Sequence, residues 1–184
     1  PDPQKQEISM ADYYSQCGVL PMLPLSDLTA AERLVLCNVF ESETDNDELY
    51  LFAETGRNSM IDLEVADILT ALATTAEGSA GAELLAGAIA GLPVGDTVAE
   101  IDLDDRWIDI LQEIVRRSPT LTFLAIETGF NCSKMRPDGF GGSALVITAD
   151  TLDAMSTSQF IDETLTLRLG AGAEVSSEAG GTDA

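Results

Sequence analysis

The sequence predicts an α+β domain in which a small, mostly antiparallel sheet of about four strands is covered by helices. Short apolar runs of β-favouring residues, such as 121–126 and 144–148, are typical of strands. Longer segments with apolar residues three or four positions apart, such as 107–115, are typical of amphipathic helices. The chain has 184 residues, which suits one domain of ordinary size.

We expect flexible ends on both sides of a single globular domain over residues 13–169. Residues 1–12 are polar and contain two prolines, so they should be loosely held. Residues 170–184 are rich in glycine, alanine and acidic groups, which predicts a disordered acidic tail.

The first part of the domain combines an extended segment with a helix. Residues 13–25 are apolar but are interrupted by one glycine and two prolines, which predicts an extended segment lying across the core. Thr29 and Glu32 match the capping-box pattern, in which each side chain accepts a hydrogen bond from the other residue's backbone amide. Residues 33–40 can continue the helix or form a strand, and we expect a helical start that passes into a strand.

An acidic segment and a second helix come next. Residues 41–48 are mostly acidic and predict a solvated turn before a strand over 49–53. A helix is expected to begin at Asn58 or Ser59 and to run to about Thr75, because this segment has apolar residues at helical spacing.

Two further helices follow the second. The Ala82–Ala90 segment consists mainly of small residues, which allow close approach of another backbone, so we expect it to be buried or to lie at a subunit interface. The next helix should begin at Asp104 or Asp105 and end at Arg117, where basic residues interact favourably with the helix dipole.

Residues 121–150 are the expected centre of the domain, because two strands there flank a glycine-rich loop. A last helix should begin at Ser156 or Thr157 and end near Leu167. Both halves of the chain show a helix, then strand, turn, strand and helix. One hypothesis is therefore a duplicated αββα unit, and the alternative is chance similarity between apolar strands.

The composition excludes several kinds of site. Histidine is absent, which rules out Ser-His-Asp and Cys-His catalysis and zinc sites with histidine ligands. The three cysteines are widely spaced and contain no CxxC pair, which argues against a disulfide framework and a structural zinc site. We therefore expect no catalytic residue, metal or cofactor, and a binding protein more readily than an enzyme.

The formal net charge is −23, from 32 acidic and 9 basic residues. Such a chain repels nucleic-acid phosphates and anionic membranes and attracts cationic protein surfaces. It contains neither an apolar run of about 18 residues, as a membrane helix needs, nor the basic-then-apolar pattern of a secretory signal. We therefore expect a cytoplasmic protein that binds neither nucleic acid nor membrane directly.

The leading hypothesis is a non-enzymatic acidic protein that docks on a basic, nucleic-acid-binding surface of a partner protein and inhibits it. Its carboxylates would stand in for phosphates, as in nucleic-acid mimics of the anti-restriction or anti-CRISPR kind from phages and mobile elements. The similarity to such proteins is one of bulk composition. The expected partner-binding residues are acidic and lie in two segments: Glu43, Asp45, Asp47, Glu48, Asp102, Asp104 and Asp105.

Two alternatives stay open. One is an enzyme or small-ligand binder that uses the 131–142 loop, where a thiol lies near two cations and a carboxylate: Cys132, Lys134, Arg136 and Asp138. The same loop also suits a buried cysteine at a strand end and an ordinary turn. The other alternative is a structural homo-oligomer of a salt-adapted organism, joined as a homodimer through the Ala82–Ala90 helix.

Overall fold

The computed structural model describes residues 11–75, 78–137 and 139–170, and it confirms the α+β fold. The strands form two antiparallel sheets, one of six strands and one of two. The flexible ends expected over 1–12 and 170–184 fall mostly on residues outside the described ranges, so that expectation stays a prediction.

The elements follow one another in a mixed order along the chain. The strands are β1 (Tyr13–Pro24), β2 (Glu41–Asp45), β3 (Glu48–Ala53), β4 (Met60–Glu64), β5 (Val98–Asp102), β6 (Phe123–Cys132), β7 (Phe140–Thr148) and β8 (Leu152–Ser156). The α-helices are α1 (Ala30–Val39), α2 (Val65–Thr74), α3 (Ala80–Ala90), α4 (Arg106–Arg117) and α5 (Thr157–Leu169).

The six-stranded sheet has the order β2-β3-β1-β6-β7-β8. The expected extended segment is β1, which pairs with β3 on one side and β6 on the other. Val19 of β1 lies opposite both Leu51 and Ile126, and all three side chains are buried. The segment predicted to cross the core is therefore a central strand of the sheet.

Helices α1 to α4 lie on one side of this sheet, whereas the first turn of α5 contacts β7 and β8 on the other face. Helix α4 packs on β6 and β7, and α1 contacts α2, α3 and α4. The largest fully buried side chains are aliphatic: Leu23, Leu36, Leu49, Leu51, Ile68, Leu85, Leu103, Ile110, Leu111, Ile114, Leu124 and Ile147. On the opposite face, Leu20 and Phe123 remain nearly half exposed in the described part of the chain.

The helix predicted over residues 58–75 is wrong in its first part, because β4 precedes α2. Ile61 and Leu63 are buried while their neighbours Asp62 and Glu64 are exposed, which is the two-residue period of a half-buried strand. The local sequence fits both the strand period and the helical period of apolar residues. Pairing with β5, which begins 38 residues after β4 begins, selects the strand.

The predicted acidic turn over 41–48 is also wrong, since Glu41–Asp45 is an edge strand paired with β3. All five of its side chains are exposed, so the strand lacks the alternating apolar pattern by which strands are recognised. Helix α1 continues to Val39 instead of passing into a strand, because Ala31, Val35 and Val39 bury one helical face.

Several predicted elements are confirmed. The capping box of Thr29 and Glu32 begins α1, with both hydrogen bonds formed. The 121–150 segment is the hairpin of β6 and β7. Helix α5 begins after Ser156, whose hydroxyl accepts a hydrogen bond from the backbone N–H of Gln159.

The order of the elements agrees in part with the hypothesis of a duplicated unit. The order helix, three strands, helix occurs twice, as α1 to α2 and as α4 to α5. The strands pair differently, because β4 leaves the main sheet to pair with β5 whereas β8 pairs with β7. The halves share an order of elements but differ in strand pairing, and the duplication stays a hypothesis.

Candidate functional site

The two-stranded sheet presents four carboxylates on one face. Ile61 lies opposite Ile101, and both are buried, so the alternate residues of β4 and β5 point outward. Asp62 lies directly opposite Glu100. We name the outward carboxylates of these two strands the acidic ribbon: Asp62, Glu64, Glu100 and Asp102.

Two more carboxylates continue from the end of the acidic ribbon. Asp104 has a φ of 43°, in the left-handed region that aspartate tolerates, and its backbone N–H donates to the Asp102 carboxylate at 3.3 Å. Asp105 is the residue before α4, but its side chain makes no capping hydrogen bond to the described backbone. Both residues are exposed, so their carboxylates remain accessible to a partner.

The other predicted group lies on the β2–β3 hairpin, where every member is exposed: Glu43, Asp45, Asp47 and Glu48. Asp45 lies directly opposite Glu48, which places two like charges across the strand pair. The backbone N–H of Leu25 donates to the carbonyl oxygen of Asp47 at 2.8 Å. This hydrogen bond ties the turn of the hairpin to the end of β1.

An aromatic pair lies beside the carboxylates of the hairpin. The rings of Tyr50 and Phe52 stack with their centroids 5.2 Å apart. Glu43 lies opposite Tyr50, and Glu41 lies opposite Phe52, so acids and rings share one face of the sheet. Carboxylates next to aromatic faces suit guanidinium groups, which pair with the former and stack on the latter.

The predicted partner-binding residues therefore form two groups on two different sheets. The hairpin residues come together at one turn, and Asp102, Asp104 and Asp105 come together at the end of the acidic ribbon. The prediction omitted Asp62, Glu64 and Glu100 as contact residues. The signal was present as strict acidic–apolar alternation in β4, but the segment also fitted a helix.

The carboxylates of the acidic ribbon form no ion pair within the described residues. Arg117 instead pairs with Glu32 and Glu113. Groups of three or more acidic or cysteine side chains placed to hold a metal ion do not occur in the described ranges.

Four carboxylates along a five-residue strand pair give one charge per about 4 Å, against one per about 3.4 Å along a single nucleic-acid strand. The acidic ribbon thus approaches the linear charge density of that strand.

The alternative site in the 131–142 loop lies between β6 and β7 in the sequence. Cys132 is buried, and its backbone N–H donates to the carbonyl oxygen of Gly139 at 2.8 Å. Arg136 is exposed and Lys134 is half-buried. Asp138 lies outside the described residues. A thiol that solvent scarcely reaches is poorly placed for attack on a substrate.

A groove of about 550 Å³ lies between α1 and α2. Its walls include the cation of Arg33, the thiol of Cys37 and the carboxylate of Asp67. A second groove, on the sheet, is lined by Cys17, Tyr50 and Glu127. Burial raises the pKa of the Cys17 thiol, the effect of nearby Arg57 being smaller, so this thiol is a weaker nucleophile than an exposed one.

Comparison with known proteins gives no relative: no family model, no curated protein and no solved structure matches this chain. Among the described residues, every helix is too short or too polar to cross a lipid bilayer.

Proposed function

We propose that this chain is a non-enzymatic binding protein that docks on a basic, nucleic-acid-binding surface of a partner protein and inhibits or regulates it. The observation that carries the proposal is the acidic ribbon, in which Asp62 and Glu100 lie opposite each other in a hydrogen-bonded strand pair. Charges fixed on strands keep their spacing, as phosphates do along a nucleic-acid strand.

The stability of the fold does not require this arrangement. Like charges directly opposite each other in a sheet are unfavourable, and the pattern occurs twice, at Asp62–Glu100 and at Asp45–Glu48. A cationic partner would relieve both repulsions. With a net charge of −23, the chain would associate quickly with such a partner at low salt.

The test is competition with nucleic acid. Fluorescently labelled duplex DNA is bound to each of a panel of DNA-binding enzymes, restriction and CRISPR nucleases included, and the chain is added as competitor. Displacement of DNA from a nuclease, and loss of that displacement at about 0.5 M salt, is the expected result. If the chain displaces DNA from none of the nucleases, the result contradicts nucleic-acid mimicry.

Matched variants separate a specific surface from net charge. Asp62→Asn with Glu100→Gln lowers the negative charge by two on the acidic ribbon, and Asp150→Asn with Glu163→Gln lowers it equally at exposed positions elsewhere. The ribbon variant should compete at least about tenfold less well than the control variant. Equal competition by the two variants would show that overall charge alone is responsible.

The other functions stay predictions. The apolar side of α3 packs within the chain against α1, α4 and β5. Self-association through this helix would therefore have to use its exposed side, with Ala86, Gly87 and Ala90. The enzyme or ligand-binding alternative uses Cys132, Lys134, Arg136 and Asp138, and the burial of Cys132 weighs only against its use as a nucleophile.

A further inference from the structure

Two grooves meet on the face of the six-stranded sheet that points away from α1 to α4. The first, of about 540 Å³, is lined by residues of β1, β3 and β6, and the second, of about 390 Å³, by residues of β6, β7, β8 and α5. Glu127 lines both, so its side chain lies where they join. We name the two together the sheet groove: Gly18, Tyr50, Glu127, Ala144, Met155 and Phe160.

Glycines surround Glu127 on the floor of the sheet groove. Gly18 lies directly opposite Glu127 on β1. Gly129, two residues further along β6, shares the face of Glu127 and lies opposite Gly142 of β7. A Cβ added at Gly129 would meet no atom within 4 Å in the described structure. The exposed Glu127 carboxylate therefore has open space beside it where other residues would place side chains.

An aromatic wall closes the β3 side of the sheet groove. Phe52 lies opposite Gly18, and the ring of Tyr50 stacks on that of Phe52. The Tyr50 hydroxyl oxygen lies 3.1 Å from the position of a Cβ added at Gly18, so the ring reaches across β1 toward Glu127. The Cα atoms of Phe52 and Glu127 are two strand spacings apart, about 10 Å. This gap accommodates a planar group between an aromatic ring and a carboxylate.

The charges on this face favour a cation as the occupant of the gap. Within the described chain, neither lysine nor arginine lines the sheet groove, and Glu127 forms no ion pair. Glu41 and Glu43 lie opposite the two rings, and Asp153 is exposed on the same face at β8. A guanidinium fits better than an ammonium, because it stacks on an aromatic ring and donates two parallel hydrogen bonds to one carboxylate.

The other half of the sheet groove is apolar. Ala144 lies opposite Glu127, and Met155 lies opposite Ala144. Met155 is 41% exposed and Phe160, in the first turn of α5, is 60% exposed. A large apolar side chain placed between them would remove both from water. The midpoint between Ala144 and Met155 is about 7 Å from Glu127 across the strands, which is the distance between alternate residues of an extended chain.

We propose that the sheet groove binds an extended segment of a partner protein in which an arginine and a large apolar residue are two positions apart. The arginine lies against Tyr50 and pairs with Glu127, and the apolar side chain packs on Met155 and Phe160. The distance from β3 to β8 is four strand spacings, about 19 Å, which is the length of about six extended residues. The acidic ribbon lies on the other sheet, so this binding does not depend on nucleic-acid mimicry.

Nuclear magnetic resonance on the isotopically labelled full chain tests the proposal. The probe is a peptide of about eight residues with one arginine and a leucine two positions away on each side, which serves either chain direction. Titration to about 5 mM detects dissociation constants of about 1 mM. We expect saturable shifts of the amides of 16–20, 127–129 and 142–144, which lie along the sheet groove. Absence of shifts in these amides overturns the proposal.

Matched probes identify the group that is recognised. Replacement of the arginine by citrulline, which has the same shape but no charge, should abolish the saturable shifts. Replacement of both leucines by serine should weaken binding at least about tenfold, and so should truncation to acetyl-arginine amide. A citrulline peptide that binds equally well overturns the role of the guanidinium. Equal binding of acetyl-arginine amide overturns the role of the apolar half.

Variants of the chain locate the contact. Glu127→Gln should weaken binding of the arginine peptide at least about tenfold. Glu83→Gln is the matched control, because Glu83 is exposed on α3, on the other side of the sheet. Gly129→Val fills the floor of the sheet groove and should weaken binding as well. Circular dichroism shows that the variants are folded. A folded Glu127→Gln variant that binds like the Glu83→Gln control overturns the assignment.

The variant Asp62→Asn with Glu100→Gln separates the sheet groove from the acidic ribbon. It should bind the arginine peptide like the parent chain, although it competes poorly with DNA. Equal loss of peptide binding in this variant and in Glu127→Gln would show attraction by net charge alone and would overturn the proposal. Peptide binding by a chain that displaces DNA from no nuclease would support the sheet groove and refute mimicry, so the two functions fail separately.

Discussion

Arg117 and Glu32 form a two-pronged ion pair that joins α4 to α1. The Arg117 guanidinium donates to Oε1 of Glu32 at 2.9 Å and to Oε2 at 2.7 Å. Glu32 is fully buried, and the backbone N–H of Thr29 also donates to its carboxylate at 2.8 Å. Hydrogen bonding to Glu32 raises the pKa of Arg117, which stabilises the charged form of the guanidinium. The cap of α1 and the end of α4 thus share one buried carboxylate.

Removal of the cation should destabilise the fold. Arg117→Ala leaves the Glu32 carboxylate buried without its counter-charge, and we expect a loss of about 3 kcal/mol, at the low end for buried pairs because Arg117 is partly exposed. Arg116→Ala is the control, since Arg116 donates to the carbonyl of Ala149 at an exposed site. Urea unfolding measures both variants. Equal losses would contradict the importance of the ion pair.

Two glycines of α3 should respond to alanine with opposite signs. A Cβ at Gly81 would lie 3.0 Å from Cγ and 3.1 Å from the backbone nitrogen of Glu32, so Gly81→Ala should cost about 1–3 kcal/mol. At Gly87 an added Cβ meets no atom within 4 Å in the described structure, and Gly87→Ala should stabilise by about 0.5–1 kcal/mol through helix propensity. Thermal unfolding of both variants is the measurement. A Gly81→Ala variant at least as stable as the parent chain would refute the close α1–α3 contact, and a destabilised Gly87→Ala variant would refute the open space at that position.

The Cys17 thiol should be slow to alkylate and should link stability to alkaline pH. Burial raises its pKa above the ordinary value of 9.0, so the folded state holds the proton more tightly than the unfolded state. Its contribution to stability is complete below pH 9 and is lost as the pH rises through the folded pKa. Mass spectrometry after iodoacetamide treatment should find Cys17 modified more slowly in the folded than in the urea-unfolded chain. A Cys17→Ser variant lacks the thiol, so its free energy of unfolding should fall less than that of the parent chain as the pH rises above 9.

The acidic ribbon should lower stability while it favours binding. Asp62→Asn removes the repulsion from Glu100 and should raise the free energy of unfolding by about 0.2–1 kcal/mol at low salt. The gain should disappear at about 1 M salt because screening already weakens the repulsion. Asp150→Asn, in the loop between β7 and β8, should change stability less. Denaturant unfolding at both salt concentrations compares the variants, and a loss of stability in Asp62→Asn would mean that this carboxylate serves the fold.

Much of the fold was predictable where local signals decide it. The capping box at Thr29 and the cap at Ser156 place two helix starts correctly, since their hydrogen bonds lie within one turn. Strand β2 could not be recognised, because an exposed edge strand buries no side chain and shows no apolar alternation. For the candidate site, the acidic segments were predictable, but Asp62 pairs with Glu100, which lies 38 residues further along the chain.

The sequence by itself determined the acidic charge, the absence of histidine chemistry, the helix caps at Thr29 and Ser156 and the central hairpin. Composition and hydrogen bonds between near neighbours need no knowledge of the rest of the chain. The tertiary structure alone decided that β4 is a strand, that Glu32 pairs with Arg117, and that the large apolar side chains of α5 remain exposed. These features depend on which distant apolar surfaces pack together. A local apolar pattern predicts a secondary structure but leaves undetermined which surface, if any, the segment packs on.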